Sequence, residues 1–145
     1  MNAFPPDHSP AQPRTVFVYG TLRRGGSNDI HRFGLPAPRF RGTGHIAGVL
    51  YDLGPYPGVL LGGEGRVVGE VYEVVPEVER ALDALEEVRD DDEGEYRRRQ
   101  ALAVLDDGRQ VACLVYEIHP RRARERPVIA SGDWIAHWRA RQLPG

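Results

Sequence analysis

The run Thr15-Val16-Phe17-Val18-Tyr19-Gly20 constrains this chain more than any other segment: apolar and aromatic residues run unbroken into a glycine. It reads as a buried strand that stops abruptly. After Gly20 the character changes to Thr21-Leu22-Arg23-Arg24-Gly25-Gly26, a loop whose backbone can approach a ligand closely. Successive main-chain N–H groups at such a strand end can form a concave anion site. From this segment alone, a plain strand and glycine turn is the simpler reading.

The 145 residues suffice for one domain with a real hydrophobic core. With 41% hydrophobic and 28% charged residues, the balance argues against overall disorder. The formal net charge of −2 favours neither nucleic acid nor an anionic membrane. All 19 cationic side chains are Arg, which excludes a lysine Schiff base and a Walker-type phosphate loop. Cys113 is the single cysteine, so neither an intramolecular disulfide nor a cysteine zinc cluster is possible. Without a secretion signal or a run apolar enough to span a bilayer, the expected compartment is the cytoplasm.

Residues 1–14, with four prolines beginning at Pro5, read as a flexible leader before a single domain over 15–145. Residues 27–33 allow a short helical turn that carries His31. Strand-like patches follow between Phe40 and Leu53, then rigid turn chemistry at Gly54-Pro55-Tyr56-Pro57-Gly58 that ends in Val59-Leu60-Leu61. A separate strand is expected over Gly65–Val74, with Gly69 at a bulge or a close approach. Pro76 opens a helix, favoured by Glu77 and Glu79 in its first turn. The acidic run 89–95 reads most simply as a solvated loop. Tyr96–Leu105 and Gln110–Ile118 form a hairpin across Asp106-Asp107-Gly108-Arg109. The basic run 121–126 reads as a solvated loop, and Ser131-Gly132-Asp133-Trp134 leads into a final short helix. Strands outnumber helices and hairpins dominate, so the class is α+β.

No Gly-x-Ser-x-Gly elbow or His-Glu-x-x-His pair occurs, and the five histidines show no ligand spacing. Carboxylate chemistry remains. At about 100° per residue the apolar stripe of the helix centres near Leu85, placing Glu86 at its edge and Glu87 nearly opposite. Glu86 also lies near the helix C-terminus, where the dipole disfavours negative charge. Partial burial would raise its pKa further, toward the range of a general base. Glu79 and Asp83 share that flank, and on pattern alone Glu86 is more often a surface glutamate than a catalyst. Arg98, on the strand face of Tyr96, can pair with an acidic side chain or grip a substrate carboxylate, the first being commoner. The Tyr116 hydroxyl needs a partner or a cavity.

Six marks occur together: Tyr19-Gly20-Thr21-Leu22-Arg23, Tyr56-Pro57-Gly58, Gly69-Glu70-Val71-Tyr72, Leu82-Asp83-x-x-Glu86, Tyr96-x-Arg98 and Ser131-Gly132-Asp133-Trp134. In this order, over about residues 16–138, the chain resembles the gamma-glutamylcyclotransferase-like superfamily. Within it, the match is to the small bacterial branch that is also similar to gamma-glutamylamine cyclotransferases. The resemblance implies a small, mostly antiparallel barrel-like sheet with a few short helices. It implies conversion of a gamma-glutamyl amide into 5-oxoproline and a free amine, without metal or organic cofactor. Glu86 would be the acid/base residue. The substrate-binding set would be Tyr19, Gly20, Thr21 and Leu22 with Pro57, Gly58, Arg98 and Tyr116. The expected partner is a small gamma-glutamyl compound, with no nucleic acid or membrane; the amine half and the oligomeric state stay open. A non-catalytic small-molecule binder on the same fold is the alternative reading, and a phosphate- or RNA-binding role for 121–126 a weaker one.

Overall fold

A computed structural model describes residues 14–32, 37–86 and 95–142. Five strands close into a barrel: β1 (Arg14–Val18), β2 (Arg39–Asp52), β3 (Pro57–Val74), β4 (Tyr96–Leu105) and β5 (Gln110–Ile118), in the order β1-β3-β2-β4-β5. Neighbouring strands are antiparallel except at the closure, where β1 runs parallel to β5 with Val16 opposite Leu114. Helices α1 (Pro76–Leu85), α2 (Pro120–Ala123) and α3 (Trp134–Gln142) and a 3₁₀ turn at Ile30–Arg32 decorate the barrel. No helix among the described residues is long and apolar enough to cross a membrane. The expected leader lies outside the described residues except for Arg14, which already pairs with Val74.

The unbroken apolar character of β1 has a direct cause. Phe17 and Tyr19 join a cluster fed by all five strands, including Ile46, Val71, Leu105 and Val115, which fills the barrel. Val16 and Val18 face the other way, into a second cluster with Tyr72, Leu114 and the α1 residues Val78 and Leu82. Both faces of the strand are therefore covered, and alternation disappears.

Two expectations are corrected. The segments 57–61 and 65–74 belong to one strand, because Val59, Leu60 and Leu61 pair with Leu50, Val49 and Gly48. The pairing then jumps from Leu61 to Arg66, leaving Gly62-Gly63-Glu64-Gly65 as an excursion that two positive-φ glycines permit. The stripe of α1 is centred on Val78 and Leu82, not Leu85: those two are buried, whereas Leu85 is 36% exposed. Gly69 is a site of close approach, since a Cβ there would lie 2.3 Å from the carbonyl oxygen of Val18.

Candidate active site

β1 delivers its last residues to a cavity of about 360 Å³, walled by Tyr19–Leu22 on one side and by Pro57, Glu86, Glu95, Tyr96 and Tyr116 on the others. The loop after Gly20 folds on itself: Arg23 N–H donates to the Gly20 carbonyl at 3.0 Å, Asn28 N–H to Thr21 at 2.9 Å and Ile30 N–H to Leu22 at 2.8 Å. A Cβ on Gly20 would sit 2.7 Å from Pro57 Cγ, so the close seating of the loop on Pro57 needs glycine. Among the described residues, the N–H groups of Thr21 and Leu22 have no protein acceptor. They remain available to a ligand.

An ionic anchor holds this loop from behind. Buried Glu70 accepts from Arg23 Nε at 3.1 Å, from the Arg24 N–H at 2.9 Å and from the Tyr72 hydroxyl at 2.9 Å. Arg23 also donates to Asp133 at 2.9 Å, tying the loop to the start of α3. Two separate elements, β3 and the start of α3, therefore fix one short turn.

The tyrosines of the wall are fully engaged with protein. Tyr19 donates its hydroxyl proton to the Tyr116 carbonyl at 2.7 Å and accepts the Val59 N–H at 3.3 Å. Tyr96 donates to the Pro57 carbonyl at 2.6 Å, and Tyr116 to Asp83 Oδ1 at 2.7 Å. Burial, reinforced by nearby carboxylates, pushes all three phenols above their ordinary value. They stay protonated and serve as walls and struts.

Glu86 is different. It caps the C-terminus of α1, with its N–H bonded to the Leu82 carbonyl at 3.0 Å. One turn beyond Leu82, it inherits that residue's inward direction, which is why it reaches the cavity although the stripe does not centre on Leu85. Burial first, and the charge of Glu95 second, raise its carboxyl from an ordinary 4.5 to about 8. Glu95 also lines the cavity and accepts a hydrogen bond from the Tyr56 hydroxyl.

Of the residues marked from sequence, Tyr19, Gly20, Thr21, Leu22, Pro57, Tyr116 and Glu86 meet at this cavity. Gly58 does not line it; a Cβ there would fall 2.6 Å from Ile118 Cβ, so the glycine serves packing. Arg98 lies outside as well, bonded to Glu79 and, at 3.3 Å, to Asp83. Glu87 and residues 89–94 lie outside the described residues. Glu95 corrects the solvated-loop reading at its last position, and Tyr56 and Tyr96 complete a wall that no spacing rule picked out. The available signal for Glu95 was its place directly before the first residue of β4. Among the described residues no group of three His, Cys, Asp or Glu side chains is placed to hold a metal ion.

Comparison with known proteins follows the same line. A family model described as gamma-glutamyl cyclotransferase, AIG2-like, matches residues 16–136. A Vibrio cholerae protein that carries the provisional name gamma-glutamylcyclotransferase is 39% identical over 120 residues, covering 82% of this chain and 93% of that one. The gamma-glutamylaminecyclotransferase of Bos taurus is 36% identical over 123 residues, 76% of this chain and 68% of the bovine one. The crystal structure of an AIG2-like protein from Mus musculus superposes with a TM-score of 0.63 at 32% identity, covering 80% of this chain and 85% of that one.

Proposed function

The chain belongs to the gamma-glutamyl cyclotransferase, AIG2-like family, an enzyme family, and from that membership and the cavity geometry we propose that it converts a gamma-glutamyl amide into 5-oxoproline and a free amine. The reading also places Glu86 as the general acid/base. The observation that carries it is a carboxyl with its pKa raised to about 8, lining a cavity of about 360 Å³ beside loop N–H groups that have no protein acceptor among the described residues.

The chemistry needs no protein nucleophile. The substrate's α-amine attacks its own γ-carbonyl carbon, the new C–N bond closes a five-membered lactam, and the original amide C–N bond breaks. Holding the flexible glutamyl chain in its folded form is a proximity task, to which a cavity of this size is suited. The α-ammonium must first give up a proton, and the Glu86 carboxylate takes it. The departing amine must gain a proton, and the Glu86 carboxylic acid returns it; the second proton, shed by the attacking nitrogen as the lactam forms, leaves with the amine as its ammonium, so the residue ends as it began. A pKa near 8 keeps both forms within reach at neutral pH. The Thr21 and Leu22 N–H groups are suited to the α-carboxylate or to the oxyanion that develops on the γ-carbonyl.

Release of 5-oxoproline from a panel of gamma-glutamyl amides tests the reading. Glu86→Gln keeps the shape of the protonated carboxyl and removes the base, so turnover should fall by about 10²–10⁴-fold while the fold persists. Turnover at the wild-type rate in that variant would leave Glu86 without its role.

A further inference from the structure

Four phenols line the cavity among the described residues: Tyr19 from β1, Tyr56 from the turn before β3, Tyr96 from β4 and Tyr116 from β5. A phenol beside a carboxylate is a ready hydrogen-bond donor, and such a bond stabilises the ionised form. Here every one of those protons is committed elsewhere. Tyr19 donates to the Tyr116 carbonyl at 2.7 Å and Tyr96 to the Pro57 carbonyl at 2.6 Å. Tyr56 donates to Glu95, and Tyr116 to Asp83 Oδ1 at 2.7 Å. The Glu86 carboxyl accepts no hydrogen bond from any described residue, although its charge is felt by Tyr19, Tyr96 and Tyr116 alike.

For Tyr19 and Tyr96 the acceptor is a main-chain carbonyl, so the direction of the proton is built into the barrel. For Tyr116 it depends on one side chain. Asp83 stands on α1 one turn before Glu86, and Arg98 of β4 holds its Oδ2 at 3.3 Å, which leaves Oδ1 for the phenol. We infer that Asp83 is a positioning residue that controls Glu86 through Tyr116: by taking the phenol proton, it keeps that hydroxyl from donating to the acid/base carboxyl. Around Glu86 the titratable groups are the four phenols and Glu95; Asp83 and Arg98 stand behind Tyr116, and the described lining contains no Arg or His. The charge that raises Glu86 is that of Glu95, after burial, and not that of Asp83. Without Asp83, the Tyr116 hydroxyl is free to rotate about its C–O bond and donate to the Glu86 carboxylate. Glu86 then ionises more easily and becomes a weaker base. The consequence for turnover rests on the cyclotransferase reading; the exchange of hydrogen bonds does not.

Titration of Glu86 followed by carboxyl-carbon NMR, with its resonance identified by its loss in Glu86→Gln, tests this without turnover. Asp83→Ala should move the Glu86 midpoint down by about 1 to 2 pH units, the span of a hydrogen bond to a charged acceptor. Adding Tyr116→Phe removes the donor and should return the midpoint to its wild-type position. Asp83→Asn keeps an acceptor oxygen for the phenol and should stay near wild type. Asp83→Leu, which fills more volume, repeats the first measurement should the alanine variant fail to fold. An unmoved midpoint in folded Asp83→Ala or Asp83→Leu overturns the inference. A downward shift that persists with Tyr116→Phe does so too, because it would then arise from lost charge or altered packing. With a gamma-glutamyl amide as substrate, the rising limb of kcat/KM should move together with the midpoint, and a limb that stays in place refutes the role in the reaction. Absence of turnover in the wild type would instead defeat the cyclotransferase reading, and the titration alone then decides whether Asp83 controls Glu86.

Discussion

Glu70 and Arg23 lie 3.1 Å apart across the back of the first loop, the carboxylate buried on β3 and the guanidinium almost as well shielded. Neither faces the cavity, yet the pair sets where the Thr21 and Leu22 N–H groups stand, because Glu70 also takes the Arg24 N–H. Glu70→Gln removes the charge and leaves Arg23 with Asp133 alone. The expected result is a loss of about 2–3 kcal/mol in stability by chemical denaturation. A drop of roughly tenfold in kcat/KM should accompany it, because the loop is no longer held in register.

The raised carboxyl of Glu86 fixes the pH profile. A base acts in its ionised form, and that form appears only as pH climbs through about 8. Between pH 6 and 8 kcat/KM should therefore increase with pH. Since Glu95 is one of the causes of the high value, Glu95→Gln should shift the rising limb toward lower pH. A limb centred near 4.5 in the wild type would contradict the placement of Glu86.

The same displacement couples to stability with a definite sign. The folded state holds a proton on Glu86 more tightly than the unfolded chain does, so this contribution is complete below about 4.5 and is lost as pH rises to about 8. Glu86→Gln cannot ionise and escapes that loss. Its melting temperature relative to wild type should improve between pH 5 and pH 8.5, by an amount equivalent to about 3 kcal/mol.

Arg98, bonded to Glu79 and Asp83 outside the cavity lining, is expected to act as a strut and not as a substrate clamp. Arg98→Met keeps the stem and removes the cation, leaving buried Glu79 with only the more distant Arg14 at 3.8 Å. Stability should fall by about 2 kcal/mol. The KM for a gamma-glutamyl amide should move by less than about threefold, whereas a direct carboxylate contact would cost far more.

Much of the architecture is local in origin and was legible. Pro76 at the first turn of α1, Asp106-Asp107-Gly108 between β4 and β5, and the apolar run into Gly20 each act within a few residues. The expected break between residues 61 and 65 failed because four glycine-rich residues can leave a ladder and rejoin it, and only the partner strand shows that they do. Arg98 was ambiguous for a related reason: spacing gives its face, while its partners come from a helix packed later against that face.

The sequence by itself determined the end of β1, the β4–β5 hairpin, the helix that carries Glu86 and the supply of carboxyls without lysine, because these follow from backbone propensity and side-chain chemistry in short windows. Only the tertiary structure decided which carboxyls, among the described residues, stand without a cationic partner. Closure of the barrel brings β1, β4 and the end of α1 around one hollow, and among the described residues the pairing of the other shielded acids with an arginine or histidine is a property of that closed shape. Charge compensation acts through space between residues far apart in the chain, so no reading along the chain could have singled out Glu86 and Glu95 together.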